Sequence, residues 1–177
     1  IPNNKNSNIE SFADPTVTKQ VLKKRNFWVL ALYIGLLSAP FTAFVALWGV
    51  PFLSQGLHVQ RDMAATIMAA AWIGGLFGGP ILGYIADYFD IRKKLLILIG
   101  ILVVTIMGMI LFIPVNYYIL TILFFVMGLL CNGNVIVFAM IAEMFSKKST
   151  GFASGIANMF NMGVGPILQL LIGSLLV

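Results

Sequence analysis

The sequence contains little charge and a single cysteine, and both shortages restrict what the chain can be. Only 10% of its 177 residues are charged, 60% are hydrophobic, and the mean hydropathy is +0.98. Because a soluble domain is about 25% charged and about 45–50% apolar, a soluble globular domain and a disordered tail are both excluded. Cys131 has no second cysteine to pair with, so a disulfide scaffold is excluded too.

The motifs of common catalytic and metal sites are missing as well. His58 is the one histidine, and no cysteine pair accompanies it, so no metal site is predicted. The sequence has no H-E-x-x-H motif and no G-x-S-x-G elbow, since the serine in residues 151–155 is one place off. A glycine-rich phosphate loop ending in G-K-[ST] is also absent. We therefore predict a protein that is not an enzyme and that needs no cofactor.

Five long apolar stretches dominate what is present. A membrane-spanning helix needs about 20 mostly apolar residues, and each stretch approaches or exceeds that length without containing Lys, Arg, Asp or Glu. Barrel strands would alternate apolar and polar residues, which these stretches do not do. The sequence therefore predicts an all-α membrane protein, a polytopic helical bundle with transmembrane helices at about residues 27–53, 63–86, 95–113, 117–142 and 151–176.

The basic residues predict how the chain is oriented. Residues 1–18 are polar and are interpreted as a flexible linker, and a basic collar follows that completes a cytoplasmic segment over residues 1–26. All Lys and Arg residues except Arg61 lie in this segment or in the second and fourth connections. The positive-inside rule then places the N-terminal tail in the cytoplasm, and we expect a bacterial inner (plasma) membrane. The net charge of +5 thus points to the lipid bilayer as partner and not to nucleic acid.

The ends of the sequence suggest a piece of a longer protein. The chain begins with Ile1, and its fifth crossing would leave Val177 on the far face directly after an apolar run. We therefore expect further chain on both sides, including at least one more helix.

Glycines follow two rows along the second predicted span. Gly75, Gly79 and Gly83 recur every four residues, and Gly74 and Gly78 form an adjacent row. Small residues at this spacing let two membrane helices pack backbone to backbone. Close packing is the simpler interpretation, and a helix that slides against its neighbour is the alternative.

The second connection carries a recognisable motif. Gly83, Asp87 and the basic pair Arg92 and Lys93 resemble the cytoplasmic signature loop of the major facilitator superfamily of transporters. That loop joins the family's second and third helices, and a weaker copy joins its eighth and ninth.

Departures from the motif and the fourth span together favour the second copy. Tyr88 stands where the family usually has a basic residue, and Asp90 stands where it usually has glycine. The span over residues 117–142 lacks the buried arginine of the family's fourth helix and is similar to its tenth, with Gly128, Cys131 and two asparagines. The resemblance covers about residues 19–177.

The resemblance implies a function for the chain. It would be the C-terminal half of a secondary active transporter or facilitator for a small solute, with the equivalents of helices seven to eleven and a missing N-terminal half as partner. The end of the first span, residues 47–53, is similar to members that import amino acids or organic anions. The alternative from another class is a non-transporting polytopic scaffold or assembly protein, or a decayed transporter fragment.

Polar and aromatic side chains within the spans are the candidate substrate contacts. On the last span, Asn158 and Gln169 point within about 20° of one direction, and could either line a cavity or hold helices together. Asn132 and Asn134 lie about 200° apart on an ideal helix, so at most one is expected to face inward, and Trp72 is interpreted as packing. The cavity candidates are Tyr33, Trp48, Asn132, Asn134, Asn158, Asn161 and Gln169.

A second group of candidates belongs to the cytoplasmic face. The macrodipole disfavours an anion at the C-terminal end of a helix, so Asp87 needs a compensating partner: Arg92, Lys93 or the positive N-terminus of another helix. If Asp87 anchors a gate, we expect it near the start of the last span, around residues 149–151. The predicted cytoplasmic gate consists of Gly83, Asp87, Arg92, Lys93 and Glu143.

Overall fold

The computed structural model describes residues 15–113 and 116–175, and its regular elements are helices. Five helical segments are long and apolar enough to cross a membrane, which confirms the predicted all-α membrane fold. We label the elements α1 (Pro15–Lys23), α2 (Arg25–Gly56), α3 (Arg61–Tyr88), α4 (Arg92–Phe112), α5 (Tyr117–Cys131), α6 (Asn134–Met144) and α7 (Lys147–Leu175).

The helices extend beyond most of the predicted ends, because the predicted spans stop where charged residues begin. The connection between α3 and α4 is Phe89–Ile91, much shorter than the eight or so residues expected, since Asp87 and Arg92 are themselves helical. The end of the predicted flexible linker is helical, since α1 begins at Pro15. Pro15 opens it, a position that suits proline because the first helical residue needs no N–H, while residues 1–14 lie outside the described residues.

α2 is widened rather than sharply broken by its prolines. Its hydrogen bonds shift to an i→i+5 pattern over Pro40–Trp48 and again over Phe52–Gly56, directly after Pro51. Proline has no N–H to donate, and a local π-helical turn is one way in which a membrane helix pairs its backbone groups again.

The closest helix pair is α3 with α5, which lie side by side and run in the same direction. A Cβ atom added to Gly74 would overlap the carbonyl oxygen of Phe125, and one added to Gly78 would overlap that of Leu129. Gly128 meets the backbone of α3 in the same way. The close-packing interpretation of the glycines is therefore confirmed for the row that contains Gly74 and Gly78.

The second parallel pair is α2 with α7. The Ser38 hydroxyl donates to the carbonyl oxygen of Asn161 at 2.8 Å, and the Gln169 amide donates to that of Thr42 at 2.7 Å. Gly165 leaves no room for a side chain beside Thr42. Gly35 likewise leaves no room for a side chain beside the backbone of Phe160. Polar bonds and two glycine contacts thus hold the two helices together.

Candidate functional site

A half-open cavity of about 480 Å³ lies about halfway along the helices, lined by α2, α3, α7 and the junction of α5 with α6. Three of the residues that line it, Asn132, Asn134 and Asn161, carry amides. Of the described residues on its wall, none is charged. We call this space the amide cavity.

A break in the fourth span brings two of the amides together. α5 ends at Cys131 and α6 begins at Asn134, because the chain makes a tight turn in which the Gly133 N–H bonds the carbonyl oxygen of Leu130 at 3.0 Å. The 100° step of a continuous helix does not apply across this turn. The expectation that Asn132 and Asn134 could not both face inward was therefore wrong, since both line the amide cavity.

Asn161 is the most deeply buried of the three amides. Its side chain is 4% exposed, and its Oδ1 atom has no hydrogen-bond partner among the described residues. Buried polar atoms nearly always have a partner, so this unpaired acceptor is an exception among the described residues. The Ser38 bond to its backbone carbonyl helps to fix this part of α7.

Two aromatic rings form an apolar part of the same wall. Phe41 and Trp72 meet edge to face, with ring centroids 4.6 Å apart and planes at 77°. Trp72 was predicted to be packing only, yet it lines the cavity and is 56% exposed. A signal for this was present in the sequence, because Trp72 lies three residues before Gly75 and therefore on the same helix face.

Gly75 makes room for one of the amides. A Cβ atom at this position would lie 2.9 Å from Nδ2 of Asn132, whereas at Gly79 and Gly83 the nearest atom is a methyl group of Val135. Nδ2 in turn donates to the carbonyl oxygen of Gly128 at 3.2 Å. Gly75 thus borders the amide cavity, and the row with Gly74 and Gly78 makes the backbone contact.

Charged side chains meet at the end of the bundle where α3 and α6 end. Arg92 donates to Asp87 Oδ1 from Nε at 3.0 Å and from Nη2 at 2.8 Å, and its Nη1 bonds Glu143. The Arg92 side chain is 24% exposed, while both carboxylates are more than 60% exposed. A shallow groove at this end of the bundle is lined by Arg92, Lys93 and Glu143. Arg92 therefore connects α3 to α6.

A comparison with protein families matches residues 2–177 to the Major Facilitator Superfamily. The chain belongs to this superfamily. Members of the family carry small solutes across membranes and are in general not enzymes, so the chain is an integral membrane protein of a transporter family. The comparisons with curated proteins and with solved structures gave no match.

The backbone explains one departure from the superfamily's motif. Asp90, at a place where the family usually has glycine, has φ = 51°, in the left-handed region. Glycine enters that region freely, and aspartate is one of the few other residues that tolerate it. The sharp turn of the signature loop is therefore kept without glycine.

The structure separates the remaining candidates from the amide cavity. Tyr33 faces α4, where its hydroxyl donates to the carbonyl oxygen of Leu96 at 2.6 Å, and Trp48 packs against Gly173. Asn158 is exposed, one turn before Met162 on α7.

The last two candidates have structural contacts. Gln169 bonds α2, which favours its interpretation as interhelical contact. Asp87 accepts its hydrogen bonds from Arg92, which was one of the compensating partners expected for it, and its position near residues 149–151 stays a prediction.

Proposed function

We propose that this chain forms the C-terminal half of a secondary transporter or facilitator, with five helices equivalent to the seventh to eleventh and residues 1–26 as the link from the other half. The amide cavity would be one wall of the substrate site. The observation that carries the proposal is that five helices of a superfamily member jointly line an uncharged, half-open cavity with three amide side chains on its wall.

The pattern of helix contacts supports the arrangement as a half. Each half of this fold contains two three-helix repeats of inverted topology. If α2–α4 are one repeat and α5–α7 begin the next, a two-fold axis in the membrane plane exchanges α2 with α5–α6 and α3 with α7. The pair α2 and α7 then exchanges with the pair α3 and α5, and these are the two pairs with the most extensive contacts.

The charged cluster is suited to serve as a cytoplasmic gate. Ion pairs with carboxylates this exposed contribute only about 0–1 kcal/mol each, so Asp87, Arg92 and Glu143 can separate and rejoin at little cost when the halves rock. The basic collar would keep this end in the cytoplasm, and we propose the inner membrane of a bacterium as the location.

Energy coupling is proposed to lie outside this chain's cavity. Proton-driven transport needs a group that changes protonation within the membrane, usually Asp, Glu or His, and no described residue of the cavity wall is one of these. The coupling carboxylate would then belong to the other half, or transport would be facilitated or exchange-driven. In the intact transporter, Glu143→Gln and His58→Ala should leave the pH dependence of uptake in place. If either variant loses the pH dependence of uptake but keeps downhill exchange, the coupling group lies in this chain and the proposal is wrong.

The experiment compares the full product of the reading frame with residues 1–177 alone, both in proteoliposomes, for uptake of a panel of small solutes. Cysteines at Ser54 and Ser146 should label from opposite sides in both proteins, which confirms insertion. Only the full product should transport. Equal uptake by residues 1–177 alone would contradict the half-transporter. A full product that inserts, transports nothing and binds other membrane proteins would establish the scaffold instead.

A further inference from the structure

We propose that a groove between α1 and the start of α7 binds the phosphate head group of an anionic phospholipid from the cytoplasmic leaflet. This inference is separate from the amide cavity, and it rests on the proposed function only for the orientation that places this end of the bundle in the cytoplasm. The groove has a volume of about 340 Å³, and we call it the collar groove. It is lined by Gln20, Lys23, Lys24, Met144, Phe145, Ser146 and Ser149.

Contacts with the bundle fix the basic side of the collar groove. Val21, near the end of α1, is fully buried. Lys24 Nζ donates to the carbonyl oxygen of Met144 at 2.8 Å. The same Nζ lies 4.7 Å from the centre of the Phe145 ring, which is a cation–π distance. The end of α1 is therefore held beside the junction of α6 with α7.

The collar groove offers several hydrogen-bond donors to an anion. A lysine ammonium has three donors, and Lys24 uses one of them on Met144. Lys23 is exposed and makes no side-chain hydrogen bond to a described residue. The hydroxyls of Ser146 and Ser149 lie 3.3 Å apart, a bond that uses only one of their two hydrogens. Phosphate oxygens accept hydrogen bonds from such donors, and those from lysine are strengthened by its charge.

The charge around the collar groove is positive. Of the described residues that line it, none carries a carboxylate. The nearby carboxylates of Asp87 and Glu143 are bound to Arg92 instead. Clusters of about four to eight basic residues at the cytoplasmic end of a membrane helix attract anionic lipids. The exposed basic residues around α1 and the start of α7 are Lys19, Lys23, Lys24, Arg25, Lys147 and Lys148.

The position of the collar groove favours a lipid over a soluble phosphate. The spanning helix α2 begins at Arg25, directly after Lys24, so the groove lies where this helix leaves the membrane. Leu22 is exposed beside Lys23, and Val29 is exposed on the first turns of α2. Apolar side chains next to basic ones suit an amphiphile, whose chains contact the former while its head group binds the latter.

The test measures binding to the purified intact transporter from the rise of its Tm with probe concentration. The probes are short-chain phosphatidylglycerol, which is anionic, phosphatidylcholine with the same chains, which has no net charge, glycerol 3-phosphate, and a hexaglutamate peptide. We expect phosphatidylglycerol to bind most tightly and its affinity to fall about fivefold in Lys23→Gln, while Lys23→Arg keeps it. Lys94→Gln, the same loss of charge in a different groove at this end of the bundle, is the matched control and should leave the affinity unchanged.

The control separates a head-group site from a diffuse attraction. The inference is overturned if Lys94→Gln weakens binding as much as Lys23→Gln, or if phosphatidylcholine binds as tightly as phosphatidylglycerol. Equal binding of glycerol 3-phosphate would indicate a site for soluble phosphates, and tighter binding of the peptide would indicate an acidic protein partner, so either result also contradicts it. Because Lys23 is exposed, Lys23→Gln without probe should unfold at the parent's Tm. Uptake is not the readout, so a full product that transports no solute would contradict the proposed function alone.

Discussion

Gly74→Ala should destabilise the bundle, because the added methyl group would overlap backbone atoms of α5. The Cβ atom would overlap the carbonyl oxygen of Phe125 and lie 2.9 Å from its carbonyl carbon and 3.1 Å from the backbone nitrogen of Leu129. Backbone atoms cannot rotate away as a side chain can, so α3 and α5 must separate along their shared seam. Overpacking of this kind costs about 1–3 kcal/mol, and the lost contacts along the seam add to it.

Gly108→Ala is the matched control for this substitution. Gly108 lies within a membrane helix as Gly74 does, yet a Cβ atom there would have no neighbour within 4 Å. Alanine forms helix better than glycine by up to about 1 kcal/mol, so this variant should be neutral or slightly stabilised. The free energy of unfolding, measured by SDS titration of the intact protein, should be at least about 1 kcal/mol lower for Gly74→Ala than for Gly108→Ala. Equal unfolding curves would refute the packing argument.

Three further substitutions test the site and its supports. Gly75→Ala should displace the amide of Asn132, which can swing away, and so weaken solute affinity without unfolding, whereas Gly83→Ala, with no atom closer than 3.8 Å, should not. Asp87→Asn should reduce uptake by the intact transporter, while membrane insertion stays normal and the free energy of unfolding changes by less than about 1 kcal/mol. Uptake equal to that of the parent protein would contradict a role for Asp87 in gating. Gln169→Leu removes the 2.7 Å bond to α2 and should lower the unfolding free energy by about 1 kcal/mol, and no change in SDS titration would contradict it.

Hydropathy and charge predicted the helices because they act locally. A stretch too apolar for water has to cross the membrane as a helix, and the basic connections favour one orientation whatever the tertiary packing. The spacing of Gly74 and Gly78 predicted close packing for the same reason, since four residues make about one helical turn. The family motif around Asp87 was also a local pattern.

The direction in which side chains point could not be obtained in that way. The angular argument for Asn132 and Asn134 assumed a continuous helix, and the turn at Gly133 removed that assumption. Tyr33 lies on α2 as Phe41 does, but which side of α2 meets α4 depends on helix placement and not on periodicity. Trp72 lines the cavity beside Phe41 of α2. A contact between two helices cannot be predicted from the periodicity of either one.

The central claim is that α7 faces a water-accessible cavity at membrane depth, and cysteine labelling tests it most directly. Met162 lines the cavity and is 58% exposed in this chain, while Leu98 on α4 lies outside it and is 51% exposed. In an intact transporter without other cysteines, Met162→Cys should react with a membrane-impermeant thiol reagent. Leu98→Cys should not, because lipid would cover it although it lies nearer the end of its helix. Equal labelling of both positions, or labelling of Leu98→Cys alone, would contradict the account.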